Sequence, residues 1–262
     1  MRGVLPGVEV VVKAQTIDRT SPVPYYEQLF DILRGRIVTG DFAVDERLPS
    51  ELELTRQYGL ARATVRQTMS RLESDGFARR VARRGVFAAL PEPSSGWMLQ
   101  GPEGFLESQI RHGRTGIETT VVDAGSRVPP SYVAEALGLG PGEKTFTLDR
   151  KRSLDGRPAL FSTNWFPGGS GAAIESASDV LDGTGSANNA LRRAGYVLNG
   201  AQRVLHATHA PDDVAHHLGV EPGEPILRIR SLSWDQNERR FDYYQTWVLT
   251  GTVPLEVNIV AG

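Results

Sequence analysis

LPSELELTRQYGLARATVRQTMSRLESDGFARRVARRGVF, residues 48–87, is the stretch that decides the reading of this chain. Ser50 opens a short helical run that breaks at Gly59, with Glu53 placed as its capping-box partner. Ala61 then opens a second run in which Val65, Met69 and Leu72 recur at helical spacing. That spacing lays one apolar stripe against a neighbouring helix, and Arg62, Thr64 and Arg66 fall off the stripe, facing outward. Two helices joined by a tight turn, the second with basic and hydroxyl residues near its start, are the pattern of a recognition helix that enters a DNA groove. After Gly76, two extended pieces (77–81 and 86–90) flank a turn holding Arg83, Arg84 and Gly85. A basic wing of this kind suits phosphates or the minor groove.

Charge supports the same reading locally. Residues 62–84 hold seven arginines against Glu73 and Asp75, inside a chain whose net charge is -2. A nucleic-acid surface is one reason for such a block, and a solvated helical face on a small helical subdomain is the other.

Working outward, Tyr26, Leu29, Phe30, Leu33 and Ile37 mark a helix of about fifteen residues after Pro24, ending near Gly40. Residues 1–19 read as a loose leader and 20–90 as one winged-helix domain. Residues 91–97, opening Pro-Glu-Pro-Ser-Ser-Gly, are a linker by composition. Charge changes across it. Residues 20–90 carry 11 basic and 9 acidic side chains, and everything from 91 onward carries 15 basic and 20 acidic. The second part, 98–262, is therefore not expected to bind DNA as well.

That second part contains an echo. Val133-Ala134, Leu137-Gly138 and Pro141-Gly142-Glu143 return 81 residues later as Val214-Ala215, Leu218-Gly219 and Pro222-Gly223-Glu224. Each copy follows a proline (Pro130 or Pro211) and runs through a Pro-Gly turn into an extended segment, 144–154 or 226–234, and a further strand, 159–166 or 241–249. Helix, strand and hairpin, given twice, predict an α+β domain on a central antiparallel sheet.

The 262 residues have room for two domains, with 40% apolar and 23% charged residues. There are no cysteines, which excludes disulfides and thiolate metal sites. The absence of a long apolar run or a signal-peptide core points to a cytoplasmic protein with no membrane partner. Four of the five histidines are His206, His209, His216 and His217, and the first two are three apart on a strand, on opposite faces. No metal and no cofactor is expected.

The N-terminal block resembles the winged-helix domain of GntR-family bacterial transcription regulators. The resemblance runs from Pro24-Tyr25-Tyr26-Glu27-Gln28-Leu29 through Leu48-Pro49-Ser50-Glu51, is densest at residues 61–67, and ends at Gly85 and Phe87. It implies that Arg62, Thr64 and Arg66 contact operator DNA, with Ser50 and the wing residues Arg83, Arg84 and Gly85 completing the surface. Arg83 stands where the family's wing usually has glycine, Ala82 where it often has glutamine, and Leu52 where some members have a basic or polar residue.

Residues 98–262 resemble the effector-binding UTRA domain of the family's HutC-type branch, which looks like the chorismate-lyase fold. The Leu-Gly-x-x-Pro-Gly-Glu turns, Asp149-Arg150-Lys151-Arg152 and Asp155-Gly156-Arg157-Pro158 carry it. Arg150 and Arg152 alternate on a predicted strand, so both project from one face and can grip a phosphate or carboxylate. A solvated sheet edge, or salt bridges to Glu143 and Asp149, would also account for them. In sugar-phosphate-responsive relatives a matching Arg-x-Arg pair binds the anionic group of the effector. The resemblance further implies ligand roles at Ser162, where relatives often have glutamate, at Asp242, and at an aromatic residue after it, for which Trp247 is the nearest candidate or else a core residue.

The function implied is a ligand-responsive regulator, most often a repressor. It would bind double-stranded palindromic operator DNA as a homodimer and be released by a small anionic effector. A constitutive DNA binder whose second domain only dimerises is the alternative. A lyase-like enzyme has only the fold to support it, since no nucleophile and base pair, phosphate loop or metal cluster is present.

Overall fold

The computed structural model describes residues 16–90, 97–98 and 116–257. The leader before residue 16 and the linker residues 91–96 lie outside these. The chain divides into two compact units, Met1–Glu92 and Pro93–Gly262.

In the first unit, α1 (Tyr25–Val38), α2 (Glu51–Tyr58) and α3 (Arg62–Ser74) precede a hairpin of β1 (Ala78–Val81) and β2 (Gly85–Ala88). Leu29, Phe30, Leu33 and Ile37 bury one face of α1 against Leu54, Val65, Met69, Leu72 and Phe77. Each such side chain contributes roughly 1.5–3 kcal/mol by leaving water. Residues 16–19, read as leader, are held in place. Ile17 packs on this core, Gln28 accepts from Asp18 N–H at 2.8 Å and donates to its carbonyl at 2.9 Å, and Arg19 donates to the Gly59 carbonyl at 3.1 Å.

In the second unit, β4 (Ile117–Arg127), β5 (Thr145–Leu154), β6 (Arg157–Pro167), β7 (Gly200–His209), β8 (Pro225–Trp234) and β9 (Arg240–Val248) form one antiparallel sheet in the order β4-β5-β6-β9-β8-β7. A short parallel pair, β3 (Trp97–Met98) with β10 (Leu255–Glu256), stands apart. The echo in the sequence is a structural repeat of strand, helix and hairpin. It consists of β4, α4 (Ser131–Leu137), β5 and β6, then β7, α8 (Asp212–Leu218), β8 and β9. Pro130 and Pro211 begin the two helices, and Gly138 and Gly219 end them in the left-handed conformation, φ 73° and 64°. The halves meet where β6 pairs with β9, around Thr163 opposite Gln245.

Helices α4 and α8 cover one face of the sheet. Val133 and Leu137 pack on Trp165 and Tyr243, and Val214, Ala215 and Leu218 pack on Phe161 and Trp247. The other face has two apolar ends. At one, Phe146, Leu148 and Phe166 meet α5 (Gly168–Glu175), α6 (Ser178–Leu181) and α7 (Ala187–Arg193). At the other, Leu154, Leu160, Ile229, Val248 and Val253 pack together. The glycines of α5 argue against a helix on propensity. The helix forms because it lies close on the sheet, where a Cβ at Gly171 would fall 2.7 Å from the Phe166 carbonyl oxygen.

Candidate nucleic-acid interface and buried polar belt

The capping box sets the start of α2. Ser50 Oγ accepts from Glu53 N–H at 3.3 Å and donates to its carboxylate at 2.7 Å, while Glu53 also accepts from Ser50 N–H at 2.7 Å. The Ser50 hydroxyl is thus engaged within the helix start. Gly59, at φ 63°, turns the chain into α3, whose first residue follows Ala61, a residue with no side chain to cap it. Uncapped N–H groups at a helix start favour anions.

The arginine block sorts into two groups. Arg71 pairs with Glu27, lies 3.6 Å from Asp75 and covers the Phe30 ring at 4.3 Å. Arg79 bonds Asp45 at 2.7 Å, and Arg80 grips Glu73 with two bonds of 3.0 and 2.6 Å. Arg62, Arg66, Arg83 and Arg84 are exposed and form no ion pair among the described residues. Thr64 is half-buried. Nearly half of the block's apparent charge is therefore structural, and what stays available lies at the start of α3 and on the wing.

The wing explains one departure from the family. Arg83 has φ 61°, in the left-handed region that glycine occupies freely. Gly85, at φ 115°, has Arg47 beside it, so that a Cβ would come within 3.0 Å of Arg47 Nε. Arg47 bridges Phe87 on β2 and is exposed. It is a wing cation that sequence spacing did not reveal, because only the bridge brings it there.

In the second unit, register decides the site. Arg150 pairs with Ser162, Ser162 with Thr246, Asn164 with Tyr244, Tyr244 with Ser231, and Ser231 with Arg203. Pairing and alternation put these residues, Arg152 and Asp242 on one face, between its two apolar ends. Arg150, Arg152, Ser162, Asn164, Asp242, Thr246 and Ser231 are all buried, making a polar belt across the sheet. Arg150 Nη2 donates to Asn164 Oδ1 at 2.9 Å, and Asn164 Nδ2 donates to Asp242 Oδ1 at 2.9 Å. Burial pushes the Asp242 carboxyl up to about 6, against the Asn164 hydrogen bond and the nearby Arg150 and Arg203 charges. Burial likewise drives the Tyr244 phenol up to about 12, with Arg203 opposing. The hydroxyls of Ser162 and Ser231 are buried with no hydrogen-bond partner among the described residues.

The belt brings together Arg150, Arg152, Ser162 and Asp242. It does not include Trp247, which corrects the expectation of a closing aromatic there. One residue of strand register turns Trp247 to the opposite face, into the α8 cluster with Phe161 and under Arg228. Tyr244 is the aromatic residue on the belt face. Asn164, Tyr244, Arg203 and Ser231 were not anticipated. Period-two spacing from Ser162 and Asp242 carried the signal for the first two, and only the pairing of distant strands reveals the others. Asp149 and Glu143 bond elsewhere: Asp149 accepts from Arg127 at 2.8 Å, and Glu143 accepts from Gly140 N–H at 3.0 Å. His217 stacks on Phe161 at 4.5 Å, and no helix among the described residues is long and apolar enough to cross a membrane.

The model of the gntR family of bacterial regulatory proteins matches residues 25–88, and that of the UTRA domain matches residues 113–250. The HTH-type transcriptional repressor NagR of Bacillus subtilis is 27% identical over 234 residues, covering 87% of this chain and 91% of that protein. A probable fructoselysine utilization operon transcriptional repressor of Escherichia coli is 24% identical over 241 residues, covering 92% and 97%. Among solved structures, the possible transcriptional regulator YydK of B. subtilis superposes with a TM-score of 0.62 at 19% identity, covering 90% of this chain and 99% of that one. PhnF of Mycobacterium smegmatis gives 0.58 at 20% identity with the same coverage. At these identities the two structures speak for the fold alone.

Proposed function

The chain belongs to the UTRA-domain branch of the gntR family of bacterial regulatory proteins, and from that premise we propose that it is a repressor released from its operator by a small anionic effector. The observation that carries this reading is the separation of two arginine sets. Arg62, Arg66, Arg83 and Arg84 are exposed on the helix-turn-helix unit, while Arg150 and Arg152 are buried on the belt of the other.

Operator recognition divides along the same lines. Arg62 and Arg66, with Thr64, read base edges in the major groove, and Arg83, Arg84 and Arg47 hold phosphates. A homodimer would set two such helices one helical turn apart on a palindromic operator. Repression is the sense suggested by NagR and the fructoselysine operon regulator, both described as repressors. On the belt, Arg150 and Arg152 take a phosphate, phosphonate or carboxylate. Linkage then requires reciprocity: an effector that weakens operator binding tenfold has its own affinity lowered tenfold by operator.

A gel-shift titration with the DNA upstream of the gene tests the reading. It is repeated with sugar phosphates, phosphonates and carboxylates at millimolar concentration. Release by one of these, lost in an Arg150→Ala, Arg152→Ala protein that still binds DNA, is the expected result. Specific binding that no anion releases would favour a domain that only dimerises.

A further inference from the structure

The belt has two cationic ends, and the second has no assigned role. One end is Arg150 and Arg152 on β5 with Ser162 beside them on β6. The other is Arg203 on β7, directly opposite Ser231 on β8. Arg203 is half-buried, and its charge acts on both Asp242 and Tyr244 between the two ends. A buried hydroxyl without a hydrogen-bond partner among the described residues sits at each end, Ser162 Oγ and Ser231 Oγ. Buried polar atoms are normally satisfied, so each marks a place where a ligand oxygen would complete the bonding.

Resting on the reading of the belt as the effector site, we propose that the effector carries two anionic groups. One is held by Arg150, Arg152 and Ser162, and the other by Arg203 and Ser231. Ser162 and Ser231 are two strands and two residues apart, so about 12 Å separates their Cα atoms. Inward-reaching arginines bring the bound groups closer than that, which suits a chain the length of a hexose with an anionic group at each end. Asn164, Asp242 and Tyr244 lie between and face the middle of such a molecule with amide, carboxyl and phenol groups.

The ends are unequal for a structural reason. Ser231 stands at the repeat position of Arg150, 81 residues on. The second half has serine where the first has the strand arginine, and its cation stands on the edge strand instead. Two guanidiniums at one end suit a phosphate, and one at the other suits a carboxylate or a second phosphate.

The test is calorimetric titration of the full chain with two probe pairs: fructose 6-phosphate against fructose 1,6-bisphosphate, and sorbitol 6-phosphate against 6-phosphogluconate. In at least one pair the compound with two anionic groups should bind about tenfold more tightly, the scale of one charge-assisted hydrogen bond. Arg203→Gln should bring the ratio of the two affinities in that pair close to one, and a cooperative thermal unfolding transition shows that the variant folds. Arg203→Lys should restore part of the preference. No preference in either pair, or a preference that survives Arg203→Gln, would overturn the proposal. Failure of all four probes and of inorganic phosphate to bind, or binding unaffected by Arg150→Gln with Arg152→Gln, would instead overturn the underlying anion-site reading.

Discussion

Asn164 donates to Asp242 at 2.9 Å although 78 residues separate them in sequence. Its amide oxygen is already taken by Arg150, so this one side chain links a guanidinium and a carboxyl. The arrangement holds a buried acid within the electrostatic reach of a buried cation.

That acid gives the protein a pH signature. Asp242 rises from 3.8 to about 6 on folding, so the native state holds a proton that the unfolded chain releases. Stability from this group is therefore present at low pH and is lost as pH climbs through the window between those values. The loss is about 3 kcal/mol at most. Asp242→Asn should remove this slope and leave the variant the more stable of the two at pH 7. Urea unfolding of both proteins at pH 5 and pH 7 checks it through the difference, in which other carboxylates cancel.

The exposed arginines should separate by what they read. Arg62→Ala or Arg66→Ala should cost about 1–3 kcal/mol on the matched operator and little on scrambled DNA. Arg83→Ala, Arg84→Ala or Arg47→Ala should weaken both, and lower the salt dependence by about one unit of slope for each phosphate no longer neutralised. Isotherms at several salt concentrations give both quantities.

Arg71 lies on the same helix as Arg62 and Arg66 but has a different role. Its removal takes away the guanidinium that pairs with the Glu27 carboxylate, whose side chain is 5% exposed. Arg71→Ala should cost about 3 kcal/mol of stability, the scale for breaking a buried ion pair from one side. Thermal unfolding should reveal this, while operator affinity per folded molecule stays close to that of the parent.

Arg83→Gly should pull stability and affinity in opposite directions. The left-handed backbone at φ 61° is relieved, raising stability by about 1 kcal/mol. The wing loses a charge, and operator binding should fall. A variant less stable than the parent would show that the Arg83 side chain holds the turn.

The helix-turn-helix and the repeat were legible because their signals are local. Ser50 with Glu53, Gly59, and the stripe of Val65, Met69 and Leu72 all act within a few residues of one another. Pro130 and Gly138, with their counterparts Pro211 and Gly219, marked both helices in the same way. The belt was only partly legible. Arg150, Arg152, Ser162 and Asp242 lie on it, whereas Trp247, an odd five residues beyond Asp242 on the same strand, faces the other side, which alternation within β9 already implied. Alternation says which neighbours share a face, and it does not say which face another strand offers. Arg203 and Ser231 become neighbours of Tyr244 only through the strand order. Helix α5 was hidden by its glycines, whose value lies in close packing on the sheet and not in local preference.

The join between β6 and β9 has a consequence for how the protein comes together. Each half closes its own hairpin through pairings near in sequence, while this join unites residues such as Asn164 and Tyr244 that lie far apart. Short-range closure precedes long-range closure on entropic grounds. The belt crosses that join, so it exists only once both halves have docked. A molecule that spans it therefore acts as a clasp on the completed sheet. Backbone amides of β6 and β9 should exchange with solvent more slowly when it is bound, as a direct record of the clasp closing.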